Sequence, residues 1–520
     1  MLLARIGLVV AGLAASSGAH AAAPDCAKDL KLTLPFPAGV KITGAEMVGA
    51  SAPGTVHAYR GRPPLAAGLP AYCKVSGTIN ERRGADGKTY GVGFAIAMPA
   101  DWNGRLLFQG GGGLNGVLNL PVGAQATGDR PALARGYAVV STDGGHSSSI
   151  GFDRSFEADQ QASLDFAHAS VPTTTVVAKQ IVAAHYGKAA HHSYIVGCST
   201  GGREAMLAAE RFPDLFDGIV SGAPAMRTGY SNIGTSYITV MLNRAAAKDA
   251  QGKPGALFTP ADKKLILAAM LEDCDGLDGL KDGVIAKVGA CRFKPQRIVC
   301  KGAKGPDCLS AAQATALDAA FQPPRDAAGA VIYPNFPWDT GIVFEGQGIP
   351  GILTTGTASP LGPPNTAVTI DLDARAQMVR ADAMQMLTDT NVWTNLSTFL
   401  DRGGKIVWYH GASDPWFSAH DTQDYFERAA KANGPRWSQS ARLYMVPGAG
   451  HCGGGENTFD QFDLLTPVVE WVEQGKAPAS VTAHRTLPTP AERPLCPWPS
   501  YPHYRGSGDE KRQESFECRS

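Results

Sequence analysis

Short apolar runs that end in glycine punctuate the first half of this chain. "RLLFQGG" (105–111), "GYAVVSTDGG" (136–145), "SYIVGCS" (193–199) and "FDGIVSGAP" (216–224) place apolar residues at successive positions, not alternate ones. A strand with that pattern is buried on both faces. Helix-period stretches separate the runs: "DFAHASVPTTTVVAKQIVAAHYG" (165–187), which Pro172 is expected to interrupt, and "GGREAMLAAERFP" (201–213). Buried strands alternating with helices predict a mostly parallel sheet covered by helices, an α/β fold class. Two further runs, "GKIVWYHG" (404–411) and "ARLYMVPG" (441–448), resume the pattern late.

Between about 226 and 392 the rhythm stops, in a stretch rich in Gly, Pro and Ala that carries four of the ten cysteines. An insertion that splits one sheet domain explains why strands resume after it; two independent domains are the alternative. The expected organisation is a first core part over 22–225, an insertion over 226–392 and a second core part over 393–520. No tandem repeat is present, and the polar stretch "RGSGDEKRQES" (505–515) reads as disordered.

The N-terminus changes the picture. "MLLARIGLVVAGLAASSGAHA" has one early Arg5, a short apolar run and small residues ending Ala19-His20-Ala21. It reads as a secretory signal peptide, residues 1–21, cleaved after Ala21. The run is too short to span a bilayer, so a soluble secreted or periplasmic protein is expected. Cysteines at 26, 73, 198, 274, 291, 300, 308, 452, 496 and 518 make an even count without any C-x-x-C, which in an exported chain reads as a disulfide framework. With 47 basic and 47 acidic residues the charge is balanced, which argues against nucleic-acid and membrane-surface partners.

Candidate chemistry centres on Gly197-Cys198-Ser199-Thr200-Gly201, set between a predicted strand and a predicted helix. That context turns a common G-x-S-x-G into a nucleophile elbow; a glycine turn with a surface serine is the bland reading. A serine needs a base, and the base an orienting carboxylate, in the chain order Ser, Asp, His. Asp414 and His451 follow the two late strands in that order. His410 lies within its strand and reads as packed, His191 and His192 precede the serine strand, His420 opens a polar helix, and Asp401 sits before its strand. The oxyanion would be met by the backbone N–H of Thr200 and of the "FQGGGGLNG" loop (108–116), at Gly113. A phosphate-cradling loop is the rival, but the G-K-[ST] ending is missing. If Ser199 and His451 meet, Cys198 and Cys452 are drawn within disulfide range; two buried free thiols remain the alternative.

This Cys-Ser…Asp…His-Cys arrangement, with "DWNGRLLFQGGGGLNG", "GCSTGGREAM", "FDGIVSGAPA", "YHGASD", "VPGAGHC" and "PLCPWPSYPHYRGSGD", resembles the tannase and feruloyl esterase family over nearly the whole mature chain. The resemblance implies an α/β-hydrolase core interrupted by a large lid that forms most of the acyl pocket. It also implies a structural Ca²⁺ in "DCDGLDGLKDGVI" (273–285), bound by Asp275, Asp278 and Asp282 and the backbone oxygens of Leu280 and Val284. From composition alone, Asp-Gly turns explain that loop equally well. Short separations suggest the bridges Cys26–Cys73, Cys274–Cys291, Cys300–Cys308 and Cys496–Cys518, the nested order the family uses. The implied activity is a serine carboxylic-ester hydrolase acting on small aromatic esters of the feruloyl or galloyl type. Terephthalate monoesters are the alternative substrate, a peptidase the alternative reaction, and a non-catalytic hydrolase-like binding module the alternative of another kind. Thr200 after the nucleophile matches feruloyl esterases; Phe417 and Arg380 are candidate contacts to an aromatic acyl group and to a substrate carboxylate.

Overall fold

A computed structural model describes Cys26 and residues 39–59, 63–150, 152–343 and 365–520; the signal-like segment 1–21 lies outside them. Its centre is a nine-stranded sheet: β1 (Val40–Val48), β2 (Tyr72–Arg83), β3 (Thr89–Pro99), β4 (Arg105–Gln109), β5 (Ala138–Thr142), β6 (His192–Cys198), β7 (Gly218–Gly222), β8 (Lys405–Gly411) and β9 (Ala441–Val446). The spatial order is β1-β2-β3-β5-β4-β6-β7-β8-β9. From β5 to β9 every pairing is parallel. The six strands expected from the apolar runs are these, each within a few residues. β1 to β3 were not foreseen; they pair antiparallel with one another, and β3 joins β5 antiparallel.

Successive residues of the central strands feed two different cores. Leu106 and Phe108 pack on one face with Ile195, Ile406 and Trp408. Leu107 packs on the other with Tyr194, Val196, Val407 and Tyr409. Both faces are covered, so neither position can be polar. Trp408 is fully buried between Tyr425, Phe426 and Trp437. Truncating it to alanine would cost about 3–5 kcal/mol.

Pro172 does not break its helix. Gln160–Leu164, a π-helical turn at Asp165–Ala169 and Ser170–Tyr186 run on without a gap. Proline falls just after the widened turn, where the ordinary i→i−4 bonding is already altered.

Between β7 and β8 lie the helices Thr228–Ala245, Pro260–Cys274, Ala311–Ala320, Leu372–Ala381 and Ala383–Thr388. The first three enclose a separate core that includes Leu242, Ile266, Met270, Phe293, Leu317 and Phe336, and Leu372–Ala381 packs through Ala376 with Ile233 and Ile332. Thr259 and Ser310 start two of these helices with reciprocal capping boxes. After the sheet come a small sheet, β10 (Gln461–Phe462), β11 (Val481–Arg485) and β12 (Ala491–Leu495), and the pair β13 (Tyr501–Tyr504) and β14 (Phe516–Arg519). The stretch 505–515, expected to be disordered, is instead an ordered connection. Glu492 N–H donates to Lys511 O, Arg505 N–H donates to Ser515 O, and Cys496–Cys518 ties β14 to the end of β12.

All five expected disulfides form: Cys26–Cys73, Cys198–Cys452, Cys274–Cys291, Cys300–Cys308 and Cys496–Cys518. No cysteine is free. Among the described residues no helix is long and apolar enough to cross a membrane.

Candidate active site

Parallel strands put all their C-terminal ends on one edge of a sheet, and ligands of open α/β sheets bind there, where the strand order reverses. Here that edge collects the glycine loop after β4, Ser199 after β6, the Asp414 loop after β8 and the His451 loop after β9.

Ser199 has φ 63° and ψ −124°, a strained turn between β6 and the helix Thr200–Arg211. The strain is held by three backbone bonds: Ser199 N–H donates to Gly222 O, while its own carbonyl accepts from Arg203 and Ala225. The flanking glycines are steric necessities. A Cβ on Gly197 would lie 2.4 Å from the Gly201 backbone, and one on Gly201 would lie 2.7 Å from Gly111 O. Helix start and glycine loop are therefore in backbone contact. Gly201 N–H donates to Gly111 O, and Thr200 Oγ1 donates to Gly113 O. As the first helical residue, Thr200 has no intrahelical acceptor for its own N–H.

His451 and Asp414 are brought together. His451 Nδ1 is 2.7 Å from Asp414 Oδ2, and both residues are buried. Asp414 Oδ1 accepts from the N–H groups of Trp416 and Phe417 at 2.9 and 3.1 Å. Burial alone would raise the Asp414 carboxyl, but His451 and His410 together hold it well below the usual carboxylate range. His410 Nε2 is 3.4 Å from Asp414 Oδ2, so the histidine expected to be mere packing backs the acid. His451 Nε2 is buried and has no hydrogen-bond partner, so the Ser199–His451 bond anticipated from sequence is not closed here. Such bonds are commonly long until substrate is bound. The Cys198–Cys452 bridge, Cα–Cα 5.9 Å, joins the residue before the serine to the residue after the histidine.

Phe417 packs its ring edge-to-face on His451 at 5.2 Å. Trp416, not singled out from sequence, lies closer at 4.8 Å and meets Phe152 at 6.2 Å. Arg380 is exposed on the helix Leu372–Ala381 and makes no ion pair among the described residues. The rival histidines lie elsewhere: His191 and His192 are near Glu473, and His420 Nδ1 is bonded to Asn335 O. Asp401 pairs with Arg436.

Two carboxylates that sequence reading passed over brace the site. Glu204, fully buried, accepts from Gly111 N–H and Asn115 Nδ2, both at 2.8 Å, and so pins the glycine loop to the helix after Ser199. Its place in G-G-R-E-A, one turn beyond Ser199, is the only signal in the sequence. Asp339, from the inserted segment, accepts from Ser413 Oγ at 2.6 Å and from Gly448 N–H at 2.7 Å. It thereby ties the acid loop to the histidine loop; no motif marks it.

In the Asp275–Val284 loop the three aspartates each have their own partners, and among the described residues their carboxylates do not gather closely enough to share an ion. Asp275 accepts from the N–H groups of Asp282 and Gly283, Asp278 Oδ1 from Leu280 N–H, and Asp282 Oδ2 from Arg493 at 2.7 Å. Asp278 Oδ2 is buried without a partner, and burial pushes this carboxyl up to about 7. The Val284 carbonyl already accepts from Ala286 N–H, leaving one lone pair. Asn457, six residues past His451, donates to Asp282 O at 3.0 Å.

A split parallel sheet with a strained serine elbow and a buried Asp–His pair at its carboxyl edge defines an α/β-hydrolase. Solved structures agree on the fold: feruloyl esterase B from Aspergillus oryzae superposes with TM-score 0.75 at 23% identity, covering 96% of this chain and 99% of that one. Tannin acyl hydrolase from Aspergillus niger gives 0.71 at 23%, covering 94% and 92%. The model of the family "Tannase and feruloyl esterase" matches residues 73–519, and the chain belongs to that family. Among curated relatives, mono(2-hydroxyethyl) terephthalate hydrolase from Piscinibacter sakaiensis is 38% identical, covering 89% of this chain and 88% of its own. Feruloyl esterase B of Aspergillus niger is 27% identical, covering 81% and 82%.

Proposed function

We propose that this protein is a secreted serine esterase that hydrolyses esters of aromatic acids, of the feruloyl and galloyl type, through an acyl-enzyme. The observation that carries the reading is the buried Asp414–His451 pair, whose Nε2 has no partner and whose chain neighbour Cys452 is bridged to Cys198, the residue before Ser199. Names of the relatives supply the substrate class. Export is supported by the five disulfides.

In this mechanism Asp414 fixes the tautomer with the proton on Nδ1, so Nε2 is the base. It takes the Ser199 hydroxyl proton as Oγ attacks the ester carbonyl. The N–H groups of Gly113 and Thr200 stabilise the oxyanion, and His451 returns the proton to the departing alcohol. Water then repeats the sequence on the acyl-enzyme. Phe417 and Trp416 supply an aromatic wall beside the base. Arg380, exposed on its helix, stays a candidate contact for a substrate carboxylate.

The same reading gives the insertion a lid role and a structural Ca²⁺ held by Asp275, Asp278 and Asp282 and the carbonyls of Leu280 and Val284. The orphaned Asp278 Oδ2 supports it, since a hard cation satisfies that oxygen. The ion would draw the Asp275, Asp278 and Asp282 carboxylates together and neutralise them, and no step of ester cleavage needs it.

Terephthalate monoesters are a second reading, favoured by the 38% identity to the terephthalate enzyme. Purified protein assayed on methyl ferulate, methyl gallate, chlorogenate and mono(2-hydroxyethyl) terephthalate separates the two. Ser199→Ala should abolish turnover and labelling by an aryl phosphonate; a mutant that still labels at an active-site serine would remove the central claim.

A further inference from the structure

A cavity of about 350 Å³ opens between the insertion and the helix Ala419–Asn433, and no triad residue lines it. The aromatic part of its wall is the half-buried Trp338, backed by two buried rings, Phe321 stacked at 3.8 Å and Phe293 edge-to-face at 5.2 Å. Arg292 and Lys294 also line it, both exposed, and neither has a carboxylate partner among the described residues. Arg292 Nη1 is tied to the carbonyls of Gly289 and Cys291, which orients the guanidinium and leaves Nη2 open. Among the described residues no Asp or Glu lines the cavity.

His420 completes the lining. Its Nδ1 lies 3.0 Å from Asn335 O, and a carbonyl can only accept, so Nδ1 carries the proton. Burial holds the ring below its ordinary pKa, so Nε2 keeps its lone pair near neutrality. The cavity thus offers a flat apolar wall, two unpaired cations and one acceptor. Its volume is at the small end for ligand sites, room for a single ring.

We propose that this cavity is a second binding site, for a free phenolic carboxylate whose carboxylate pairs with Arg292 and Lys294 and whose hydroxyl donates to His420 Nε2. The cavity's own chemistry carries this assignment. The esterase reading enters only in that such acids are what it would release. Occupancy would bear on the catalytic loops through short links. Asn335 O also accepts from Ser418 Oγ at 2.6 Å, and Trp338 directly precedes Asp339, which holds Ser413 and Gly448.

The test fills the catalytic site first. Enzyme is inactivated at Ser199 with an aryl phosphonate, and intact mass confirms one adduct; that step tests the esterase reading by itself. 4-Hydroxybenzoate is then titrated into the blocked protein by calorimetry. Saturable one-to-one binding is expected, with benzoate and methyl 4-hydroxybenzoate both weaker. The Arg292→Gln, Lys294→Gln double variant should bind at least about tenfold more weakly, the loss of a charge-assisted bond, while its ester turnover before blocking stays normal. Absence of saturable binding to the blocked enzyme, or equal binding by the double variant, would overturn the proposal.

Discussion

Replacing Cys198 and Cys452 together by alanine separates two effects of one bond. The bridge spans 254 residues of sequence, so the chain-entropy relation gives about 5.5 kcal/mol of stabilisation, an upper figure because residual denatured structure reduces it. The positional effect is unequal on its two sides. Cys198 ends β6 in the middle of the sheet, in register with Gly222 of β7, and stays put without the bond. Cys452 sits in a loop, held otherwise by Gly450 N–H to Gly454 O and by Gly454 N–H to Asp460. Loss of the bridge therefore loosens the loop of His451, whose ring Asp414 still holds, more than it loosens Ser199. Misplacement of a catalytic group by about 1 Å costs on the order of a hundredfold in rate, so kcat should fall by about that factor while KM changes little. The assay is steady-state and single-turnover hydrolysis of an aryl ester, at a temperature where melting curves show both proteins folded. Near-normal kcat in the folded double mutant would refute the argument and reduce the bridge to a staple.

Glu204→Ala leaves the Gly111 N–H and the Asn115 amide unsatisfied in the interior and should cost about 2–4 kcal/mol in denaturant unfolding. Glu204→Gln keeps one acceptor oxygen, so it should remain folded and lose kcat more than KM as the glycine loop loosens. Burial raises the Asp339 carboxyl to about 6, so between about pH 4 and 6 the native state keeps a proton the unfolded chain has lost. Stability from this group therefore falls as pH rises through that window, and Asp339→Asn should flatten the slope in melting temperature against pH. Chelation of Ca²⁺ should lower the melting temperature of the wild type but not of Asp278→Ala; unchanged melting with chelator, and no metal by mass spectrometry, would argue for a plain turn.

What sequence could reveal was set by how local each signal is. β4 to β9 were legible because burial on both faces leaves unbroken apolar runs such as "KIVWY". β2, "YCKVSGTINERR", mixes glycine and charge with its apolar positions because part of it is exposed, and it passes for loop. The helix Thr228–Ala245 is rich in β-branched residues and glycine; its own core fixes it, not propensity. Ser199, Asp414 and His451 sit at strand ends in a fixed chain order, which one dimension preserves. Asp339 and Glu204 act through partners 109 and 93 positions away, Gly448 and Gly111, and a linear pattern cannot hold that.

β7 and β8 are neighbours in the sheet, Gly218 opposite Lys405, yet the whole insertion is synthesised between them. As the chain emerges, β7 pairs with β6 on one side and waits as a bare edge on the other, the donors and acceptors on that side unpaired until β8 arrives. Meanwhile the insertion can close on its own core, and its two disulfides span only 17 and 8 residues. Short loops close with the least entropic delay, so those bonds belong to the early history of the molecule. The bond beside the serine belongs to the end, after β9 has docked and the His451 loop exists. Until then an incomplete sheet is exposed to pairing with another chain, and exposed strand edges of this kind are where larger proteins aggregate during folding.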